Sequence, residues 1–228
     1  MKLLVLADEE RSYYWDYFDP KKFEGIDLIL SAGDLKAEYL EFLVTLTGIP
    51  VLYVCGNHDD YTRRAPEGCT CIEDKIYNFF GLRIVGLGGS MRYKDGENDN
   101  MYTEQDMRRR CHRMSLLASM KNGFDILLTH APCRGYGDLD DLPHRGFECF
   151  NDLLDKWKPP YMLHGHVHKA YGHFQSERQH PSGTLLINAC GSYILDIPDQ
   201  AFPDYGHTGA RIYDLYTHFK IKTGRGCK

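Results

Sequence analysis

The sequence predicts a mixed α/β fold built on a parallel or mixed sheet, and three observations carry that prediction. Residues 26–31, 37–46 and 51–55 read as strand, helix and strand in succession, the β-turn-α-β unit that builds such sheets. Five short apolar runs each end in a polar or titratable cluster, as strands do where they open into ligand-bearing loops. The 228 residues, 43% of them hydrophobic, suffice for one sizeable core. They contain no internal repeat and no linker, so a single domain spanning 1–228 is expected.

Residues 2–7 form the first predicted strand, followed by Asp8-Glu9-Glu10. Alternation along extended backbone puts Asp8 and Glu10 on one face and Glu9 on the other. The next stretch, Arg11 to Gly25, gathers Tyr13, Tyr14, Trp15, Tyr17 and Phe18, which either wall a pocket or pack together. The second strand, 26–31, leads to Gly33-Asp34, and Leu40, Leu43 and Val44 give the following helix its periodicity until Gly48 and Pro50. The run 51–55 stops at Gly56 and opens into Asn57-His58-Asp59. Lys75 to Gly89 reads as a β-hairpin turning at Gly81, with Gly88-Gly89 allowing close backbone approach. A polar loop from Arg92 to Asn100 precedes a helix over 103–121, on which Met107, Cys111, Met114 and Leu117 recur at helical spacing.

The strand Phe124–Leu128 ends at Thr129-His130. A long, acidic loop runs from Ala131 to Gly146, and loops of that length inside compact domains usually have a function or no fixed order. Within it, His144 and Arg145 either touch substrate phosphate or belong to an ordinary polar loop. A helix over 147–157 stops at Pro159-Pro160, and Tyr161-Met162-Leu163 leads into His164-Gly165-His166-Val167-His168. Beyond it the chain reads as all-β, with strands over 170–175, 184–188 and 210–221 and a short basic tail.

Bulk properties narrow the function. No run of about 18 apolar residues is present, so no membrane span is predicted. The first residues enter a strand directly with no signal-peptide pattern, and the expected location is the cytoplasm. The eight cysteines show no paired framework and read as reduced thiols, with Cys69-x-Cys71 alone able to hold a soft metal. A net charge of −5 argues against stable nucleic-acid binding through a broad basic face. Arg108-Arg109-Arg110 is the local exception, read as a solvated helix face in preference to a phosphate patch.

The side chains gathered at the strand ends are Asp8, Glu10, Asp34, Asn57, His58, His130, His166 and His168. Such a mixed N/O set suits Mn²⁺, Fe²⁺ or Zn²⁺ better than Ca²⁺. Its size suits two ions, and a pair about 4 Å apart is fitted to attack on phosphorus.

Asp8, Gly33-Asp34, Gly56-Asn57-His58-Asp59, His130 and Gly165-His166-Val167-His168 together resemble the signature of the calcineurin-like metallophosphoesterases, in the family's order over residues 3–168. The resemblance implies a four-layer α-β-β-α sandwich, two mixed β-sheets flanked by helices. It implies a dinuclear hydrolase of phosphate mono- or diesters that uses a bridging hydroxide. Asp34 would bridge both ions, Asp8 and His168 would hold the first, and Asn57, His130 and His166 the second. His58 would protonate the leaving alkoxide, with Asp59 orienting its ring. Mn²⁺ is the expected metal, with Fe, Zn or Mg as alternatives, and a phosphate ester the expected partner.

One position departs from the family pattern. Glu10 stands where the family has histidine, either as a ligand or turned to solvent. As a ligand it would leave the two-ion centre one positive charge poorer and favour a harder first ion, Mn²⁺ or Mg²⁺. Two further readings stay open beside the esterase. One is a catalytically weak or inactive scaffold of the same fold working through protein contacts, and the other a hydrolase of a different bond, such as an amide.

Overall fold

Alternation along the first strand decides where the rest of the chain packs. In the computed structural model, which describes residues 1–61, 64–94, 100–171 and 175–198, β1 spans Lys2–Ala7. Its Leu3, Val5 and Ala7 enter one apolar cluster, while Leu4 and Leu6 enter another on the opposite face. The second cluster is closed by Tyr39, Leu40 and Leu43 of helix α1 (Ala37–Thr47).

β1 pairs in parallel with β2 (Leu28–Ser31), which pairs with β3 (Val51–Tyr53) and then the short β4 (Thr70–Cys71). A second sheet contains the antiparallel hairpin β5 (Lys75–Phe79) and β6 (Leu82–Leu87). Parallel to β6 lies β9 (Ile126–Thr129), then β10 (Tyr161–His164) and β12 (Leu185–Asn188), with β11 (Glu177–Gln179) antiparallel at the edge. A separate small pair joins β7 (Ser90–Met91) to β8 (Met101–Tyr102). The two large sheets face each other across a core in which Val5, Leu30 and Leu52 meet Ile84, Leu128 and Leu163. Helices α2 (Glu104–Ser119) and α3 (Glu148–Trp157) cover the far face of the second sheet through Met107, Met114, Phe150 and Leu154. The expected α-β-β-α layering is present. Among the described residues no helix is long and apolar enough to cross a membrane.

Helix α2 begins with a reciprocal cap: the Asp106 amide donates to Thr103 Oγ1 at 3.2 Å, and the Thr103 amide donates to Asp106 Oδ2 at 3.3 Å. Thr103→Ala should cost about 1 kcal/mol in denaturant unfolding. A change below a few tenths would show that tertiary packing, not the cap, fixes this helix end.

Several sequence expectations are corrected. The face of α2 that carries Met107, Cys111 and Met114 also carries Arg110, because positions three and four apart share a helix side. Arg110 is buried, bonded to Asp74 at 2.8 Å and the Gly88 carbonyl at 2.8 Å and ion-paired with Glu73, so it is not a solvated residue. Arg108 and Arg109 are exposed and pair with acidic neighbours, as a solvated face requires. β13 (Gly191–Asp196), antiparallel to β1, went unread in the sequence. In place of a strand over 170–175 there is a turn of 3₁₀ helix at Lys169–Tyr171, with residues 172–174 outside the described set. The expected strand over 210–221 and the basic tail also lie outside the described residues. Of the two alternatives for the aromatic stretch, packing is the one seen for Trp15, which stacks on Tyr39 at 5.2 Å and on Phe42 at 5.7 Å, while Tyr13 and Tyr17 are exposed.

Candidate metal centre

Parallel strands deliver their C-terminal ends to one edge, so β1, β2, β3, β9 and β10 present Asp8, Asp34, Asn57, His130 and His166 together. Three of these residues, Asp8 (φ 64°), Asp34 (φ 56°) and His166 (φ 70°), adopt left-handed backbone. That conformation costs roughly 1–2 kcal/mol for an L-residue, and its concentration here marks backbone bent for the site. Neighbouring contacts hold the bends. The Asp8 amide donates to the Gly33 carbonyl at 3.1 Å, and the His166 amide donates to both Asp8 carboxylate oxygens at 2.9 and 3.0 Å. Gly33 (φ 96°) lies so close to Gly56 that a Cβ on either would overlap the other's loop.

The donor atoms converge on His130, which is fully buried. Its Nε2 lies 3.1 Å from Asn57 Oδ1, 3.1 Å from His166 Nδ1 and 3.4 Å from Asp34 Oδ2. Its Nδ1 is 2.8 Å from the Ala32 carbonyl, and His166 Nε2 is 2.8 Å from the Pro143 carbonyl. A carbonyl only accepts, so both outer nitrogens donate, and both inner nitrogens are left to face each other with lone pairs. Two such lone pairs at 3.1 Å need a cation between them, either a proton or a metal. With a proton alone, burial opposes charge on His130, but the Asp34 and Asp8 carboxylates overcome it and push the imidazole up to about 9. Burial and the charge on His130 push His166 down to about 3. Burial works against ionised Asp34 as well, yet His130 and the His58 amide hold its carboxyl below the ordinary carboxylate range. Burial pushes Asp8 up, although His130 and the His166 amide oppose it. Asp8, Asp34 and His130 each place a ligand atom within 4.8 Å of the others. Two imidazole nitrogens, a carboxamide oxygen and a carboxylate oxygen fit a divalent ion, with the outer nitrogens tethered as metal-binding histidines require.

The remaining predicted residues fall into place unevenly. The His58 ring is exposed beside Asp34, and its amide donates to Asp34 Oδ1 at 2.8 Å. Among the described residues no hydrogen bond joins that ring to Asp59. The Asp59 carboxylate instead accepts from the Gly56 amide at 2.7 Å and the Asp34 amide at 2.9 Å, locking together the loops that carry Asn57 and Asp34. Its burial, aided by the nearby Asp34 charge, pushes Asp59 up to about 6 despite those amides.

Glu10 does not share a direction with Asp8. The period-two argument assumes extended backbone, and left-handed Asp8 breaks it. The Glu10 carboxylate accepts from the Lys36 amide at 3.2 Å and from Lys36 Nζ at 3.0 Å. Glu9, half-exposed and paired with Arg11, places a carboxylate oxygen near His168 and Cys190. Glu10→Ala should therefore leave metal stoichiometry unchanged in equilibrium dialysis, and loss of an equivalent would restore Glu10 as a ligand.

The long loop earns a positional role, since Pro143 tethers His166 and the His144 ring lies 5.3 Å from the His166 ring. Sequence reading missed Glu73 and Arg110. Glu73 accepts from the Cys55 amide at 2.8 Å and the Gly88 amide at 3.1 Å, and Arg110 neutralises it, so the pair fixes the strand end that carries Asn57 and His58. Neither residue has a local motif to betray it. An open cleft of about 410 Å³, lined by Asp34, Lys36, His58, Asp59, Tyr61 and Arg64 among others, adjoins the centre.

Comparison with known proteins agrees with this geometry. A family model described as calcineurin-like phosphoesterase matches residues 7–170. UPF0046 protein T07D4.2 of Caenorhabditis elegans is 29% identical over 103 residues, 44% of this chain and 24% of its own length. UPF0046 protein C25E10.12 of the same organism is 28% identical over 112 residues, 46% of this chain and 37% of its own. The matches thus span well under half the length of these curated relatives. Among solved structures, TT1561 of Thermus thermophilus superposes with a TM-score of 0.57 at 16% identity, covering 83% of this chain and 89% of that one. Another superposes at 0.64 with 15% identity, covering 86% and 94%. At such identities the likeness is one of fold.

Proposed function

Since the chain belongs to the calcineurin-like phosphoesterase family, we propose that it hydrolyses phosphate mono- or diesters with the help of divalent metal ions. The observation that carries this reading is the pair of tethered histidines whose inner nitrogens face each other at 3.1 Å beside Asn57 and Asp34. Asn57, His130, His166 and Asp34 would hold one ion, and Asp8 and His168 adjoin a second position. Divalent ions at these positions would neutralise phosphoryl oxygens and activate water for attack on phosphorus. The donor set suits Mn²⁺, Fe²⁺ or Zn²⁺.

The chain's own groups supply the rest. His58 stands exposed at the cleft, where it can donate a proton to the leaving alkoxide oxygen as the P–O bond breaks. Its main chain is pinned to Asp34, so its position depends on the same loop that shapes the centre. Lys36 and Arg64 line the cleft but are paired with Glu10 and with Glu38 and Glu41. Glu10, Asp34, Glu38, Asp59 and Asp60 line it too, so divalent ions would have to supply the positive charge that an anionic ester meets there. Asp59 acts on the loops, not on the ring.

Chelator-treated protein resupplied with Mn²⁺ or Zn²⁺ and assayed on a chromogenic phosphodiester and the matching monoester tests the reading. Metal-dependent turnover is expected, and the better ester names the substrate class. Absence of both turnover and metal uptake would favour the scaffold.

A further inference from the structure

The turn at Asp8 that sends Glu10 to Lys36 also gathers two residues outside the family signature, Glu9 and Cys190, around His168. Glu9, His168 and Cys190 each place one ligand atom so that all three lie within 4.8 Å of one another. Cys190 is 1% exposed, and its Sγ lies 3.8 Å from Glu9 Oε1. It sits between β12 and β13 and bridges to Ala7, which brings its thiol to the end of β1. Asn188 clamps the cluster: its Oδ1 accepts from the Cys190 amide at 2.9 Å, and its Nδ2 donates to the Val167 carbonyl at 2.9 Å. One side chain thereby fixes the backbone at Cys190 and next to His168, the supporting role that outer residues play around metal ligands.

We propose that the second position, which His168 adjoins, is completed by Glu9 and Cys190 into a thiolate-containing metal position beside the Asp34 centre. This deepens the phosphoesterase reading and rests on it for the neighbouring ion. An N/O/S donor set selects Zn²⁺ or Fe²⁺ over Mg²⁺ and Mn²⁺, the reverse of the harder first ion expected from Glu10. On binding, the sulfur–metal bond replaces the S–H bond and the thiol proton passes to solvent. Arg11 Nη1 lies 3.5 Å from Glu9 Oε2, but both side chains are 41% exposed, and such a pair is a weak competitor for the carboxylate. The Glu9 oxygen nearer to Cys190 is the other one.

The test is a Co²⁺ titration of the chelator-treated full chain, followed by the near-ultraviolet thiolate-to-cobalt charge-transfer band and by bound metal per chain. The wild type should show the band and take up one more equivalent than Cys190→Ser, which should lack the band. A Cys69→Ser/Cys71→Ser variant should keep it. Glu9→Gln, which keeps the thiol but removes the carboxylate charge, should keep the band and weaken Co²⁺ binding at that position. A wild type without the band, a band that survives in Cys190→Ser, or equal stoichiometry in the two proteins would overturn the site. Ester turnover is read separately. A Cys190→Ser protein with unchanged metal content and activity sinks the thiolate site and leaves the esterase standing, whereas a band without turnover does the opposite.

Discussion

His58→Ala should leave folding and metal content intact and lower kcat by about 10²–10⁴-fold on an ester with an alkoxide leaving group. The structure separates the two roles of this residue. Its amide, which any residue supplies, bonds to Asp34, while among the described residues its ring makes no hydrogen bond. Truncation therefore removes the proton donor and little else. The loss should shrink for an ester whose leaving group is a weakly basic phenolate, because that group departs without protonation. Equal losses on both esters, or loss of metal in the variant, would show that His58 acts through the centre instead of on the leaving oxygen.

Asp125→Ala should destabilise the protein by about 3–5 kcal/mol in urea unfolding. Asp125 precedes β9, and its carboxylate accepts from Arg83 Nε at 2.9 Å and Nη2 at 2.7 Å, and from the Arg83 amide at 2.8 Å. Both side chains are below 10% exposed, so removing the carboxylate strands a guanidinium that the Lys121 and Asn122 carbonyls solvate but do not neutralise. The pair sets β6 against β9, the strand that ends at His130. Arg83→Met with Asp125→Leu should recover much of the loss, since no uncompensated charge then remains. A single variant within about 1 kcal/mol of wild type would mean that water reaches the guanidinium.

What the sequence revealed follows from how far each signal extends along the chain. Gly56-Asn57-His58-Asp59 and Gly165-His166-Val167-His168 are contiguous, and the strands before them are apolar runs, so the inner strands of the two sheets and the polar residues at their ends could be read from the sequence. β13 escaped because its alternation is broken by an exposed Ile194, and only pairing with β1 makes it a strand. Arg110 and Glu73 are 37 positions apart, and a run of three arginines gives no hint which one turns inward. Glu10 parts from the direction of Asp8 at a single backbone angle, the left-handed φ of Asp8, a conformation that period-two reasoning assumes away.

Whether a metal ion joins His130 to His166 is tested most directly by an anomalous difference map from crystals of the chain grown with Mn²⁺ or Zn²⁺. A peak between His130 Nε2, His166 Nδ1, Asn57 Oδ1 and Asp34 Oδ2 is the expected result, and it would make the facing lone pairs a metal site. Histidines still 3.1 Å apart with no peak between them would contradict it, leaving a proton as the cation they share and removing the basis for metal-assisted hydrolysis.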